Sequence, residues 1–257
     1  MISCGVIVEY NPFHNGHAYH IQEAKKISGA DVVIAVMSGN FLQRGEPAII
    51  DKFHRAKAAL TSGVDLVLEL PYAFAVQNSD YFAKGAVYAL HAIGAQSICF
   101  GSESGDTEQF ITAYEKLNRA ENDFTRELKY WLNEGLAFPT ASAHAYQSIG
   151  LTTDGMDLSK PNNILGLGYV KAILDNNLPL EIHTIKRIKS GYHEAEITDS
   201  IASATSIRKE IITHDELTTD VQAAIPEVTG RMLREYKAKT GIWHDWEKYF
   251  QLVNYRG

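Results

Sequence analysis

Ser3-Cys4-Gly5-Val6-Ile7-Val8-Glu9-Tyr10-Asn11-Pro12-Phe13-His14-Asn15-Gly16-His17 is the stretch that decides the fold. Its first six residues are short, rich in Val and Ile, and flanked by polar neighbours, as a buried parallel strand is. Asn11-Pro12 breaks that strand. From Gly16 to Ser28 the residues Ile21, Ala24 and Ile27 recur at helical spacing, and Gly29 is placed to close the helix. A strand, a loop and a helix in that order make the first half of a βαβ unit.

The same alternation continues outward. Residues 31–38 read as a second strand, and Asp51 is placed to cap a helix through Phe53, Ala56 and Leu60. Leu66 to Leu70 is a third strand, stopped by Pro71. Ser79 or Asp80 opens a helix that runs to Gly94, and residues 97–100 form a fourth strand. Strands separated by helices predict right-handed crossovers and a parallel sheet, a Rossmann-like α/β domain. From 106 to 150 the pattern is helical, an insertion or a small lobe. Pro161 opens a helix to about Asn176, residues 181–185 form a fifth strand, and Thr205 caps a short helix through Ile212. Beyond Pro226 the chain reads as helix to about Thr240. The division is 1–212 for the α/β domain and 213–257 for a helical C-terminal segment.

Composition bounds the class. The 257 residues are 45% hydrophobic and 21% charged, which excludes a disordered or collagen-like chain. The longest apolar runs, such as 32–37, are far below the ~20 residues of a membrane span. No basic leader precedes the first strand, so no signal peptide is expected. Cys4 and Cys99 sit in apolar runs and read as reduced core thiols, and a cytoplasmic location follows. With 24 basic and 31 acidic side chains the formal net charge is −7, which argues against general nucleic-acid binding. The last 28 residues nevertheless carry +3, leaving room for an RNA partner or a solvated helix face.

The chemistry lies where the first strand gives way to its helix, the position at which open α/β sheets bind ligands. Free amides at a helix N-terminus favour an anion, and Gly16 lets a base or ribose lie against the backbone. His14 and His17 then aim two imidazoles at one phosphate group, suiting attack at an α-phosphorus. At this chain's own His and Gly frequencies, His-x-Gly-His arises by chance roughly 0.03 times. Two rival readings stay open. His14, His17 and His20 at three-residue spacing have the look of zinc ligands, although no His-Glu-x-x-His or Cys-x-x-Cys accompanies them. The plain alternative is that they cap and pack. The glycine-rich 101–107 stretch lacks the Gly-Lys-Ser/Thr ending of a Walker loop.

Six strings, in this order, carry a resemblance: residues 7–17, Met37-Ser38-Gly39-Asn40-Phe41, Arg44-Gly45-Glu46-Pro47-Ala48, Phe100-Gly101-Ser102-Glu103, Pro161-Asn162-Asn163-Ile164-Leu165-Gly166 and Ala204-Thr205-Ser206-Ile207-Arg208. Together they resemble the bacterial tRNA(Met) cytidine acetate ligase family, within the HxGH nucleotidyltransferase superfamily that also holds class I aminoacyl-tRNA synthetases. The likeness runs from residue 2 to residue 208. It implies a Rossmann-like parallel sheet with a helical insertion and a helical C-terminal segment. The implied activity joins acetate to N4 of the wobble cytidine of elongator tRNA(Met) through an acetyl-adenylate. It uses ATP, expected with Mg²⁺, and no acetyl-CoA; no membrane, protein partner or protein-held metal is expected.

The resemblance also assigns residues. Ile7, Val8, Glu9, Tyr10, Asn11, Pro12, Phe13, His14, Asn15, Gly16, His17, Ala18, Tyr19 and His20 match the family's ATP-binding string, with His14 and His17 catalytic. Gly101, Asn162, Arg187 and Ile188 would complete the ATP site. Thr205, Ser206 and Arg208 stand where the superfamily keeps a second phosphate-binding helix start. Lys52 and Arg55 are candidate tRNA contacts. Family members usually continue into a basic helical region, and 213–257 is expected to be its start. The alternative activity is a small-molecule adenylyltransferase or ligase using the same histidines; a non-catalytic nucleotide- or RNA-binding module is a third reading.

Overall fold

The opening apolar run becomes the centre of the molecule because its alternate side chains are taken up by two different cores. The computed structural model describes residues 1–153, 155–187 and 202–255. In chain order the elements are β1 Ser3–Val8, α1 Asn15–Ser28, β2 Val32–Ser38, α2 Lys52–Thr61, β3 Leu66–Leu70, α3 Tyr72–Ala75, α4 Ser79–Ala92 and β4 Ser97–Ser102. There follow α5 Thr107–Arg119, α6 Glu121–Asn133, α7 Phe138–Ser148, α8 Pro161–Asp175, β5 Glu181–Lys186, α9 Ala204–His214, α10 Thr219–Ala224, α11 Glu227–Thr240 and α12 Trp246–Asn254.

The five strands are parallel and lie in the order β3-β2-β1-β4-β5. Cys4, Val6 and Val8 of β1, with Val33, Ala35 and Met37 of β2, face a core completed by α1, α2, α9, α10 and α11. Ile34 and Val36 of β2, with Ile98 and Phe100 of β4, face the opposite core under α4, α5 and α8. Period-two alternation thus makes a three-layer sandwich. On the α4 side Gly5 has no room for a side chain: a Cβ there would stand 2.5 Å from Leu90. The chain leaves β1 towards β2 and β3, then returns to lay β4 on the other side of β1. The order therefore reverses between β1 and β4, and the carboxyl end of β1 opens into that crevice.

Most expected elements stand within two residues of their expected bounds, but the caps differ. Asn78 caps α4, accepting from Tyr81 N, ahead of the Ser79 or Asp80 expected. Ser203 caps α9, accepting from Ser206 N, while Thr205 lies exposed within the first turn. In the 106–150 stretch, α5 buries Phe110 and Ala113 in the sheet's core, whereas α6 buries nothing fully. α6 and α7 pair through Phe124–Tyr146 and a stacked Trp131–His144, ring centroids 4.4 Å apart. Val221, Ala224, Met232, Leu233 and Trp243 join the first core, so α10 and α11 are built into the α/β body. Cys4 and Cys99 are buried free thiols.

Candidate nucleotide site

α1 begins at His14, whose extended backbone makes it the N-cap residue. The His14 Nδ1 accepts from the Gly16 amide at 3.1 Å, and the His17 Nδ1 accepts from the His14 amide at 3.2 Å. This is a capping box built from two histidines, and it satisfies two of the amides that a helix start leaves orphaned. The rings stack with centroids 3.7 Å apart. Both readings of the pair, capping and chemistry, are compatible because they use different atoms. A backbone amide can only donate, so each Nδ1 is unprotonated and each hydrogen sits on Nε2. Burial lowers the His14 pKa to about 3 and holds His17 well below its ordinary value. The pair therefore presents two neutral Nε2–H donors at pH 7.

Their surroundings are rigid. Tyr10 and Phe13 are buried and pack edge-on, with Tyr10 4.9 Å and Phe13 5.7 Å from the His17 ring. Tyr10 takes φ 49°, turning the chain sharply off β1, and the Asn11–Pro12 peptide is cis. Asn11 Oδ1 accepts from Ile49 N at 2.8 Å. The 7–20 string is thus partly core: Val8, Tyr10, Phe13 and Ala18 pack inward and Tyr19 points out. Asn15 ties α1 to α10 through the Ala223 carbonyl, 2.9 Å away.

Arg187, just beyond β5, supplies the positive charge. Burial lowers the pKa of His14, His17 and His20, and the Arg187 guanidinium adds to that lowering at each, at His17 behind the neighbouring His14 and His20. Arg187 also covers Gly101, where a Cβ would lie 3.3 Å from Arg187 Cγ. Gly101 and Arg187 thus lie at the carboxyl ends of β4 and β5, on the side of β1 where the order reverses. Asn162 reaches it indirectly, donating to Glu103 Oε1 at 2.6 Å. The other Glu103 oxygen accepts from Asn163 N at 2.8 Å, and Asn163 Oδ1 accepts from the Glu103 and Ser104 amides. Glu103 thus occupies the start of α8, which clips the β4 loop to that helix. Ile188 lies outside the described residues.

The remaining candidates are placed differently. Ser206 is buried and its hydroxyl donates to the Ser203 carbonyl at 2.9 Å. Arg208 donates to the Asn11 carbonyl at 2.8 Å and to Glu46 at 3.3 Å, joining α9 to the histidine loop. Lys52 pairs with Glu69 at 2.5 Å at the edge of the sheet. Arg55 corrects the surface role expected for it. It is 1% exposed and donates to the Glu9, Ser38 and Gly39 carbonyls, bracing the ends of β1 and β2 where no RNA can reach it. Buried arginines of this kind are invisible to charge patterning, because Arg55 lies among ordinary helix-surface neighbours in the sequence.

Glu9 gains a role that the sequence did not single out. Burial raises its carboxyl pKa, and Oε1 accepts from Gln43 N at 2.8 Å, fastening the 39–47 loop to β1. Among the described residues no group of three or more His, Cys, Asp or Glu side chains is arranged to hold a metal, which leaves the zinc reading of the three histidines without support.

The chain is similar to proteins of one known family. The model of the HIGH Nucleotidyl Transferase family matches residues 1–257. A tRNA(Met) cytidine acetate ligase of Oceanobacillus iheyensis is 56% identical over 256 residues, covering all of this chain and 64% of the relative. The Bacillus subtilis protein of the same name is 45% identical over 261 residues, covering 99% of this chain and 62% of the relative. The crystal structure of Thermotoga maritima TmcAL bound with alpha-thio ATP superposes with a TM-score of 0.80 at 39% identity. That match covers 94% of this chain and 57% of the TmcAL chain. The chain thus spans a little under two thirds of the length of the curated relatives it matches.

Proposed function

The chain belongs to the HIGH Nucleotidyl Transferase family, and from that membership we propose that it activates acetate with ATP and passes the acetyl group to N4 of the wobble cytidine of tRNA(Met). The observation that carries the first step is the pair of Nε2–H edges beside Arg187 at the crevice between β1 and β4. The relatives' shared name and the ATP analogue on the Thermotoga maritima protein support the substrates.

In the first step an acetate oxygen attacks the α-phosphorus and the bond to the bridging oxygen breaks. Pyrophosphate leaves and acetyl-adenylate remains. Charge grows on the phosphate oxygens as this happens. His14 and His17 donate to them as neutral imidazoles, already oriented by their caps, and Arg187 adds the full positive charge. Neutral donors suit this work because they do not need a proton at working pH. Gly101 lets the Arg187 side chain lie close over the end of β4, and Asn162, held by Glu103, faces the same end of the sheet. In the second step the N4 lone pair attacks the acetyl carbon, AMP departs, and the amine gives up one proton. ATP comes with its own Mg²⁺, a hard cation held by phosphate oxygens; acetyl-CoA takes no part. The activity belongs to the cytoplasm, and none of the described helices is long and apolar enough to cross a membrane.

The test has two halves. Labelled pyrophosphate should exchange into ATP only when acetate is present. Mass spectrometry of tRNA(Met) incubated with ATP and labelled acetate should show one added acetyl group on the wobble cytidine. Exchange that depends on another small substrate, and ignores acetate, would assign the site to a small-molecule adenylyltransferase instead.

A further inference from the structure

An aromatic cluster is built on the loop that follows β2, which hydrogen bonds tie to the loop after β1. The Phe41 ring lies 6.2 Å from Tyr72, 6.5 Å from Trp246 and 5.7 Å from Tyr249, centroid to centroid. These residues come from the loop after β2, the start of α3 and α12. Tyr72 is 66% and Trp246 50% exposed, and Phe250, one turn along α12, is 57% exposed. Large aromatic surface turned to solvent in one place marks a contact site.

The cluster is also held in place. The Tyr249 hydroxyl meets His244 Nδ1 at 3.0 Å, and the other His244 nitrogen meets the Tyr236 hydroxyl at 2.5 Å. Its loop is fastened to the nucleotide loop by Gln43 to Glu9 and by Glu46 to Arg208 to Asn11. Two exposed cations neighbour these residues in the sequence, Arg44 in the loop of Phe41 and Lys248 between Trp246 and Tyr249, and neither forms an ion pair among the described residues. The acids of α12 are taken up by its N-terminus: Asp245 accepts from Lys248 N, and Glu247 lies in the first turn.

We propose that Phe41, Tyr72 and Trp246, together with Arg44 and Lys248, form the stacking surface for unpaired bases of the RNA that flank the base being acetylated. The proposal rests on the RNA-modifying reading above. A target base must leave its stack before its exocyclic amine can reach an adenylate, and its neighbours then need a surface. Aromatic faces with unpaired cations beside them match single-stranded nucleic acid, since every base has a π-face and every nucleotide a phosphate.

The probe is the anticodon stem-loop of elongator tRNA(Met), titrated against the whole chain and compared with a blunt duplex of equal length. Trp246 fluorescence should be quenched by the stem-loop and much less by the duplex. Tyr72→Ala and Trp246→Ala should each weaken stem-loop binding roughly 5- to 150-fold, the effect of one lost base stack. Trp246→Phe should restore most of the binding. Acetate-dependent pyrophosphate exchange should be unchanged in all three variants. Arg44→Ala and Lys248→Ala should each reduce the slope of log affinity against log salt by about 0.7. Wild-type stem-loop affinity in both alanine variants, or equal affinity for stem-loop and duplex, would overturn the proposal. So would concentration-dependent dimerisation that buries Trp246 without RNA, which would assign the surface to a second copy. If exchange ignores acetate while the alanine variants still lose the stem-loop, the surface stands and the acetate reading falls.

Discussion

The two jobs of His17 can be separated by choosing the replacement. Asn places an oxygen where Nδ1 was but has nothing at Nε2. His17→Asn should therefore keep the bond to the His14 amide and lose the donor to phosphate. Acetate-dependent exchange should fall about 10²–10³-fold with the melting temperature nearly unmoved. His17→Ala should show the same loss of rate plus about 1 kcal/mol of destabilisation for the missing cap. Equal rates in the two variants and the wild type would remove the imidazoles from the chemistry. Arg55 gives the opposite pattern. Removing its guanidinium strands three backbone carbonyls and the buried Glu9. Arg55→Met should cost on the order of 3–5 kcal/mol in urea unfolding. A stable variant with weakened RNA binding would reverse that assignment. At this scale the sequence was legible where a motif dictates atoms, as at His14 and His17. It was illegible where burial decides, as at Arg55 and Glu9, because nothing local marks a polar side chain that folds inward.

At the scale of elements, the periodicity of apolar residues marked strands and helices well, since alternation and 3.6-residue spacing survive without any knowledge of partners. Helix caps were less legible. Asn78 and Ser203 each compete with a second polar residue one or two positions along, and only the backbone angle chooses between them. Short α3 and α10, and α12, carry too few residues for a pattern to stand out. The contact of α8 with the sheet was equally hidden. Gly166 lies where a methyl would be 2.6 Å from Phe100 and 2.7 Å from Phe110, both buried rings. Gly166→Ala should cost about 1–3 kcal/mol through overpacking, although alanine is the better helix former. A gain in stability measured by denaturant unfolding would show that α8 can slide on its bed.

For the molecule as a whole, the strand order is what places the chemistry, and composition could not supply it. The parallel sheet follows from the alternation of elements, but the reversal beside β1 appears only once β4 is seen to lie there. The whole fold also carries a pH dependence. The folded state keeps His14 neutral down to about pH 3 and His20 down to about pH 4, and it also holds His17 neutral. The unfolded chain protonates all three near pH 6.5. Unfolding thus takes up protons below that point, so the stability present above pH 6.5 is lost as pH falls. Each imidazole contributes on the order of 1 kcal/mol per pH unit below 6.5. Glu9 acts in the opposite sense, its contribution being lost as pH rises, but it is one group against these three and His244, whose pKa burial also lowers. Unfolding free energies at pH 7, 6 and 5.5 should fall accordingly, and His20→Gln should shallow the slope by about one proton. A flat profile would mean that the three rings take up protons while folded.

The bond from Arg208 to the Asn11 carbonyl spans 197 residues of sequence, and Asn15 grips the Ala223 carbonyl from the same loop. Whatever stiffens that corner must also quieten α9 and α10. Adding ATP should slow deuterium uptake in 210–236, beyond the candidate phosphate-binding residues of α9, and Arg208→Ala should uncouple that protection.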